Sequence, residues 1–199
     1  MVKYMIDPGH GGKDSGAVGN GVVESDYVLK ISNLLKSLCP NIRRTRSSNI
    51  FVPLEERSAI ANRADADFFV SLHCNYYSSP SARGFEVFHA AGSTSGQQLA
   101  TTLYDRIVPT LPPDMPHRGV KEANFSVLRR TNMPAALIEF GFLSNADDAA
   151  WLSKPETSYD LAAAISLVVD PTPRGSTPNK LRSEILKISD RLTKIANEL

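Results

Sequence analysis

The sequence predicts an α/β domain with a largely parallel, six-stranded sheet flanked by helices. Short apolar runs alternate along the chain with segments whose apolar residues recur about every 3.6 positions. Strands separated by helices pair in parallel, because a parallel connection needs a crossover segment. With 199 residues, 42% of them hydrophobic, the chain can bury one sizeable core and still carry a short appendage.

The predicted elements follow one another in regular order. Six apolar runs have strand character, and they are residues 2–6, 42–45, 67–72, 84–90, 125–129 and 135–140. Five segments have helical periodicity, and they are residues 27–38, 54–64, 97–108, 146–152 and 159–169. Segments 92–96 and 109–119 are rich in Gly, Ser and Pro and are predicted to be surface loops.

The C-terminal part of the chain differs from the rest. Residues 1–170 are predicted to form one folded domain. Residues 171–180, with three prolines and no apolar periodicity, are predicted to form a linker. Residues 181–199 repeat apolar positions at alternating steps of four and three, which predicts a helix with a heptad seam. Since so short a helix is marginal alone, we expect it to pack on the domain or self-associate.

Composition excludes several classes of protein. The formal net charge of +1 argues against a nucleic-acid-binding protein. Two cysteines, Cys39 and Cys74, cannot form a disulfide framework. The sequence has neither an apolar run long enough to span a membrane nor a signal-peptide pattern, so we expect synthesis in the cytoplasm without membrane insertion.

The glycine-rich segment MIDPGHGGKDSG, residues 5–16, surrounds His10. It is not a P-loop, which requires Ser or Thr where Asp14 stands, and it lacks the third glycine of a dinucleotide-binding loop. The segment therefore predicts a turn that displays His10. Its glycines are expected to leave space for a metal ion and for a bulky substrate beside that histidine.

Polar side chains occur at the ends of three buried-looking strands. These residues are His10, His73 and Glu139, and the carboxyl ends of parallel strands are where ligands gather. Burying the Glu139 carboxylate costs several kcal/mol unless a charge compensates it, although an edge strand could also turn it to solvent. Glu24 is at the start of the first predicted helix, where the helix dipole is enough to explain an acidic residue. A loop anchored at His10 could nevertheless bring Glu24 to the same strand ends.

Two histidines and one carboxylate are a common ligand set for catalytic zinc, and a second carboxylate can act as the base. Glu139 suits the role of base, and the absence of HExxH excludes the helix-borne zinc protease motif. His89 and His117 are weaker ligand candidates, since one faces away from Glu86 and the other lies in a proline-rich loop. Strand alternation predicts that Cys74 points into the core.

Three ordered blocks carry a resemblance to a known family. They are DPGHGGKDSGAVGNGVVE (7–24), RTRSSNIFVPLEERSAIANRADADFFVSLHCN (44–75) and RGVKEANFSVLRRTNMPAALIEFGFLSNADDAAWL (118–152). With them the chain resembles the zinc-dependent N-acetylmuramoyl-L-alanine amidases of type 3. The resemblance implies a twisted mixed sheet of about six strands, with His10, Glu24 and His73 as zinc ligands and Glu139 as the catalytic glutamate. Asn75, Arg57 and Arg129 also match family positions, and we interpret them as structural.

The resemblance also implies an activity, which is hydrolysis of the amide between N-acetylmuramic acid and L-alanine in peptidoglycan. A compact catalytic domain without a signal peptide is similar to a phage or prophage endolysin, which reaches the wall through a holin lesion. A mother-cell lysis amidase of a spore-former is the near alternative. Two other functions stay open: a zinc carboxypeptidase or peptidase that binds a terminal carboxylate through Arg118 or Lys121, and a non-catalytic wall-binding module.

Overall fold

The computed structural model of the protein describes residues 2–170. Eight strands lie in this part of the chain: β1 Tyr4–Pro8, β2 Val18–Gly19, β3 Val22–Val23, β4 Arg43–Arg44, β5 Phe68–Asn75, β6 Phe85–Ala90, β7 His117–Ala123 and β8 Ala135–Phe142. Six α-helices accompany them: α1 Glu24–Leu38, α2 Leu54–Arg63, α3 Thr94–Ile107, α4 Ser126–Arg129, α5 Ala146–Leu152 and α6 Pro155–Val169. The linker and heptad helix predicted for residues 171–199 lie outside the described residues and stay predictions.

Six strands form one mixed sheet in the order β4-β1-β5-β8-β6-β7, which confirms the predicted fold class. Strands β4, β1, β5 and β8 pair in parallel, β6 pairs antiparallel with β8, and β7 pairs in parallel with β6. The carboxyl ends of β1, β5 and β8 therefore lie side by side. Because β6 runs the other way, its first residues reach the same edge of the sheet.

The two faces of the sheet are covered unequally. Helices α1, α3, α5 and α6 pack their apolar residues on one face, around strand residues such as Ile6, Val70 and Ile138. The opposite face carries a smaller core, which joins Phe69, Ala135 and Leu137 to α2 and α4. Since alternate residues of a strand share a face, His73 and Glu139 continue this second face towards the carboxyl edge.

One strand and one helix were assigned wrongly from the sequence. Residues 117–119, predicted as part of a loop, begin β7, whereas the predicted strand 125–129 contains the one-turn helix α4. Strand β7 lies at the edge of the sheet, and none of its residues is fully buried. An edge strand does not need an apolar alternation, and HRGVKEA has none. In α4, the adjacent buried residues Val127 and Leu128 resemble a short strand in sequence.

Within residues 2–170, no helix is both long enough and apolar enough to cross a lipid bilayer.

A buried polar cluster ties α2 to the centre of the sheet. The Asp7 carboxylate on β1 is fully buried and accepts hydrogen bonds from Thr45 Oγ1, Arg57 Nη1 and Ser71 Oγ at 2.5–2.8 Å. Arg57 also donates to the carbonyl oxygens of Val52, Pro8 and His10. The structural interpretation of Arg57 is thus confirmed, and this guanidinium fixes the chain segment that carries His10.

We expect Arg57→Met to lower the free energy of unfolding by about 3–5 kcal/mol, because Asp7 would stay buried without its cation. Arg63→Met on the same helix is the matched control: Arg63 forms an exposed ion pair with Glu56, so its loss should cost at most about 1 kcal/mol. Urea unfolding followed by circular dichroism measures both variants. Equal destabilisation of the two would contradict the role given to the buried pair.

Candidate metal and catalytic site

Two histidines and a glutamate meet at the carboxyl edge of the sheet. They are His10, just after β1, Glu24, the first residue of α1, and His73 on β5, and one ligand atom from each lies within 4.8 Å of the others. Glu24 Oε1 is 3.1 Å from His10 Nε2 and 2.8 Å from His73 Nδ1. The carboxylate is buried, whereas both imidazoles are partly exposed, so the group opens to solvent through its histidines.

A short hairpin brings Glu24 to the histidines. Strands β2 and β3 pair around Asn20 and Gly21, which both have positive φ, and Asn-Gly is the favoured sequence for such a two-residue turn. The chain folds back, and the Glu24 amide donates to the carbonyl oxygen of Ala17. The backbone N–H groups of Ala17 and Cys74 then donate to the two oxygens of the Glu24 carboxylate, at 2.7 and 3.0 Å.

His10 is held in an unusual backbone conformation. Its φ of 57° lies in the left-handed region, which costs a residue with a side chain on the order of 1–2 kcal/mol. Two contacts fix the residue: Arg57 Nη2 donates to its carbonyl oxygen at 2.7 Å, and Asp14 Oδ2 lies 2.9 Å from its Nδ1. Because a carboxylate only accepts, Asp14 keeps a proton on Nδ1, and Nε2 is the ring atom that faces Glu24 and the site.

The glycines near His10 have a different role from the one expected. A Cβ at Gly9 would lie 2.6 Å from His73 Nε2, and one at Gly16 would lie 2.5 Å from Glu24 Oε2 and 2.6 Å from His10 Cδ2. Gly11 and Gly12 lie against the backbone of Ile50 and Phe51. The expectation that these glycines leave space for a substrate is therefore wrong. They make room for the site's own side chains and for the neighbouring loop.

The electrostatics of the group favour a bound cation. Burial alone would raise the pKa of Glu24, but hydrogen bonds and charge from His10 and His73 lower it well below the usual range of a glutamate. Burial lowers the pKa of His10, yet the Glu24 and Asp14 carboxylates outweigh it and leave that pKa raised. With Glu24 ionised, an anionic oxygen and two imidazole nitrogens converge, which is a donor set that suits a divalent metal ion.

Glu139 lies beside this group on the central strand β8. In the sheet register it is opposite His73 on one side and Glu86 on the other. Its Oε2 atom is buried and has no hydrogen-bond partner within residues 2–170. Burial, followed by the negative charges of Glu24 and Glu86, raises the pKa of Glu139 well above its ordinary value. A partly buried carboxylate with a raised pKa, next to three possible metal ligands, is suited to accept and return a proton.

The other candidates from the sequence lie outside the group. His89 is buried on β6 with its Nδ1 near the carbonyl oxygen of Ala90, and His117 is exposed at the start of β7. Cys74 is buried in the larger core, as strand alternation predicts. Asn75 anchors the turn by accepting a hydrogen bond from the Tyr76 amide. The structural interpretation of Arg129 is not supported: the side chain is exposed, and no partner for it occurs in the described part of the chain.

Two polar residues of the site were not singled out from the sequence. Asp14 orients His10, and its spacing of four residues from that histidine within a glycine-rich turn was the available signal. Glu86, which lies opposite Glu139 in the sheet, is almost fully buried. An acidic residue in the strand sequence GFEVFHA was the signal for it, as it was for Glu139 on its own strand.

Comparisons with known proteins show what the whole chain is similar to. The family model described as N-acetylmuramoyl-L-alanine amidase matches residues 5–170. The chain is 43% identical over 169 residues to the endolysin of Bacillus phage SPP1, covering 79% of this chain and 60% of the endolysin. It is 39% identical over 170 residues to the sporulation-specific N-acetylmuramoyl-L-alanine amidase of Bacillus subtilis strain 168, covering 81% of this chain and 64% of that protein. The chain thus spans less than two thirds of both relatives.

Solved structures share the fold. The catalytic domain of CwlV, an N-acetylmuramoyl-L-alanine amidase from Bacillus (Paenibacillus) polymyxa var. colistinus, superposes with a TM-score of 0.80 at 31% sequence identity. The match covers 86% of this chain and 97% of that domain.

We expect Gly9→Ala to weaken binding of a divalent metal ion on the order of 10–100-fold, because the new Cβ would displace the His73 ring. Gly92→Ala is the control, since its Cβ would meet nothing within 4 Å and only backbone strain would be added. Titration with Zn²⁺ against a chromophoric chelator gives both affinities, and circular dichroism checks the fold. Unchanged affinity in folded Gly9→Ala would contradict the steric role of Gly9.

Proposed function

The chain belongs to the N-acetylmuramoyl-L-alanine amidase family, and from that premise we propose that it hydrolyses the amide between the lactyl group of N-acetylmuramic acid and L-alanine in peptidoglycan. The observation that carries the proposal is the meeting of His10, Glu24 and His73 beside the Glu139 carboxylate, which lies opposite His73 in the sheet. The names of the relatives indicate which bond is cleaved, and the side chains of this chain indicate how its cleavage can be catalysed.

The proposed metal is zinc, with His10, Glu24 and His73 as its ligands. Two imidazoles and one carboxylate match the ligand types of catalytic zinc sites, and three protein ligands leave one position for water or substrate. A zinc ion held there supplies Lewis acidity, which polarises the scissile carbonyl and makes a water molecule more acidic. Asp14 supports this role of His10 by fixing its tautomer, and the N–H groups of Ala17 and Cys74 hold the Glu24 carboxylate in place.

Glu139 is proposed as the general base and then the general acid. Burial and the negative charges of Glu24 and Glu86 raise the pKa of this carboxyl group, so in its ionised form it can take a proton from the attacking water. The same group can then donate that proton to the alanine nitrogen, which leaves as a neutral amine.

We further propose that the chain acts on the bacterial cell wall as a lytic enzyme of the endolysin kind, with residues 1–170 as its catalytic domain. The similarity to an endolysin supports this setting, and the similarity to a sporulation-specific amidase keeps a role in mother-cell lysis as the alternative. Self-association through residues 181–199 remains a proposal from the heptad pattern alone.

We expect Glu139→Gln to lower kcat for wall hydrolysis by about 10²–10⁴-fold while zinc content stays at that of the parent, because the variant lacks the proton acceptor but keeps the ligands. Glu122→Gln, an exposed carboxylate on β7, is the matched control and should keep full activity. Released amino termini, identified by labelling and mass spectrometry, should be those of L-alanine.

Other outcomes would contradict the proposal in different ways. Release of free D-alanine instead of peptides that begin with L-alanine would favour the peptidase alternative. Unchanged lysis by Glu139→Gln would remove Glu139 from the mechanism. Wall binding without any bond cleavage by the parent would favour a non-catalytic binding module.

A further inference from the structure

A second polar cluster lies one strand away from Glu139, and it is centred on Glu86 of β6. The side chain of Glu86 is almost fully buried. Its Oε2 accepts hydrogen bonds from Arg118 Nε at 2.9 Å and Lys121 Nζ at 2.5 Å, and its Oε1 accepts one from Asn75 Nδ2 at 2.7 Å. One carboxylate thus holds two cations at the open edge of the sheet.

The strand register places the Glu86 side chain on the same face of the sheet as Glu139. Glu86 is opposite Glu139 on β8 and opposite Gly119 on β7, so the Glu86 and Glu139 side chains share a face. Arg118 and Lys121 are three residues apart on one strand, and in a regular strand they would point to opposite faces. A β-bulge between the pairs Phe85–His117 and Glu86–Gly119 leaves Arg118 without a register partner and lets both side chains reach Glu86.

The cluster carries more positive charge than Glu86 neutralises. Two cations face a single carboxylate, and the side chains of Arg118 and Lys121 remain 35% and 38% exposed. Lys121 has three N–H donors, of which one is bound to Glu86, and Arg118 Nη2 has no partner within residues 2–170. The Arg118 guanidinium also lies over the Phe142 ring at 4.9 Å, which further limits its movement. Fixed cations with free donors are suited to bind a carboxylate.

We propose that Arg118 and Lys121 form a binding subsite for the α-carboxylate of the stem-peptide residue that follows L-alanine, with Glu86 as the residue that positions them. The proposal rests on the amidase function proposed above. Arg118 and Lys121 both bind Glu86, which lies on the strand next to that of Glu139. Neighbouring strands are about 4.8 Å apart, so the cations lie close to Glu139. Two peptide residues span about 7 Å, so a scissile nitrogen near Glu139 brings the second residue within reach of the cations.

The test uses two soluble muramoyl dipeptides that differ only at the second residue, which bears either an α-carboxylate or an α-carboxamide. We expect the parent to hydrolyse the carboxylate form with a kcat/KM about tenfold higher, since a charged pair is worth more than a neutral hydrogen bond. Lys121→Gln and Arg118→Gln should raise KM for the carboxylate form about tenfold, change kcat little, and leave the carboxamide form unaffected. Lys121→Arg should retain the preference, and Lys30→Gln, an exposed cation on α1, is the control.

The outcomes separate this inference from the proposed function. Equal hydrolysis of both dipeptides by the parent, or an equal effect of the substitutions on both, would overturn the subsite and leave the amidase function standing. If the ion-pair cluster had only a structural role, the substitutions would affect hydrolysis of the two dipeptides equally. If the parent releases no peptides beginning with L-alanine from dipeptides or from purified walls, the amidase function itself fails.

Discussion

The Glu24 carboxylate is the group on which the geometry of the site depends. It is buried, accepts hydrogen bonds from the backbone N–H groups of Ala17 in the adjoining hairpin and Cys74 on β5, and faces two imidazoles. A buried anion of this kind is stable only when hydrogen bonds and cations compensate its loss of hydration. The hairpin, the first turn of α1 and the end of β5 therefore have to meet at this side chain, and their meeting fixes where a metal ion can bind.

Other buried charges hold the scaffold in the position that Glu24 needs. Arg57 connects Asp7 in the sheet to the carbonyl of His10, and Arg46, also buried, donates to the carbonyl oxygens of Gly9 and Ser25. These guanidiniums tie the loop after β1 to the start of α1, where backbone carbonyls would otherwise lack partners. The left-handed conformation of His10 is maintained by this framework, so the strain at the site is offset by contacts outside it.

The sequence was sufficient for some features of the site and insufficient for others, for physical reasons. His10, His73 and Glu139 were predictable because they follow or end apolar strands, and strand ends in a parallel sheet converge. The position of Glu24 at the start of a helix did not identify it as a metal ligand, since an acidic residue is common in a first turn. The Asn20–Gly21 turn was the signal that the chain folds back and brings Glu24 to the histidines. Strand β7 and the cations on it were misplaced because an edge strand with an exposed surface carries no apolar periodicity.

Charged side chains extend along one edge of the sheet, from the two histidines to the cations on β7. Glu24, Glu139 and Glu86 lie across neighbouring elements of the same edge, with histidines at one end and Arg118 and Lys121 at the other. Negative charge at the centre favours a cation, whereas the positive surplus at the β7 edge favours an anionic part of a ligand. A substrate with a carbonyl to be polarised and a carboxylate nearby would fit this arrangement.

The most direct test of this metal site is the anomalous diffraction of zinc-loaded crystals, measured on both sides of the zinc absorption edge. We expect one strong zinc peak per chain, bonded to His10, Glu24 and His73, with Glu139 close by but not bonded. A peak held by Glu139 in place of Glu24, or zinc bound only elsewhere on the chain, would contradict the central role given to the Glu24 carboxylate.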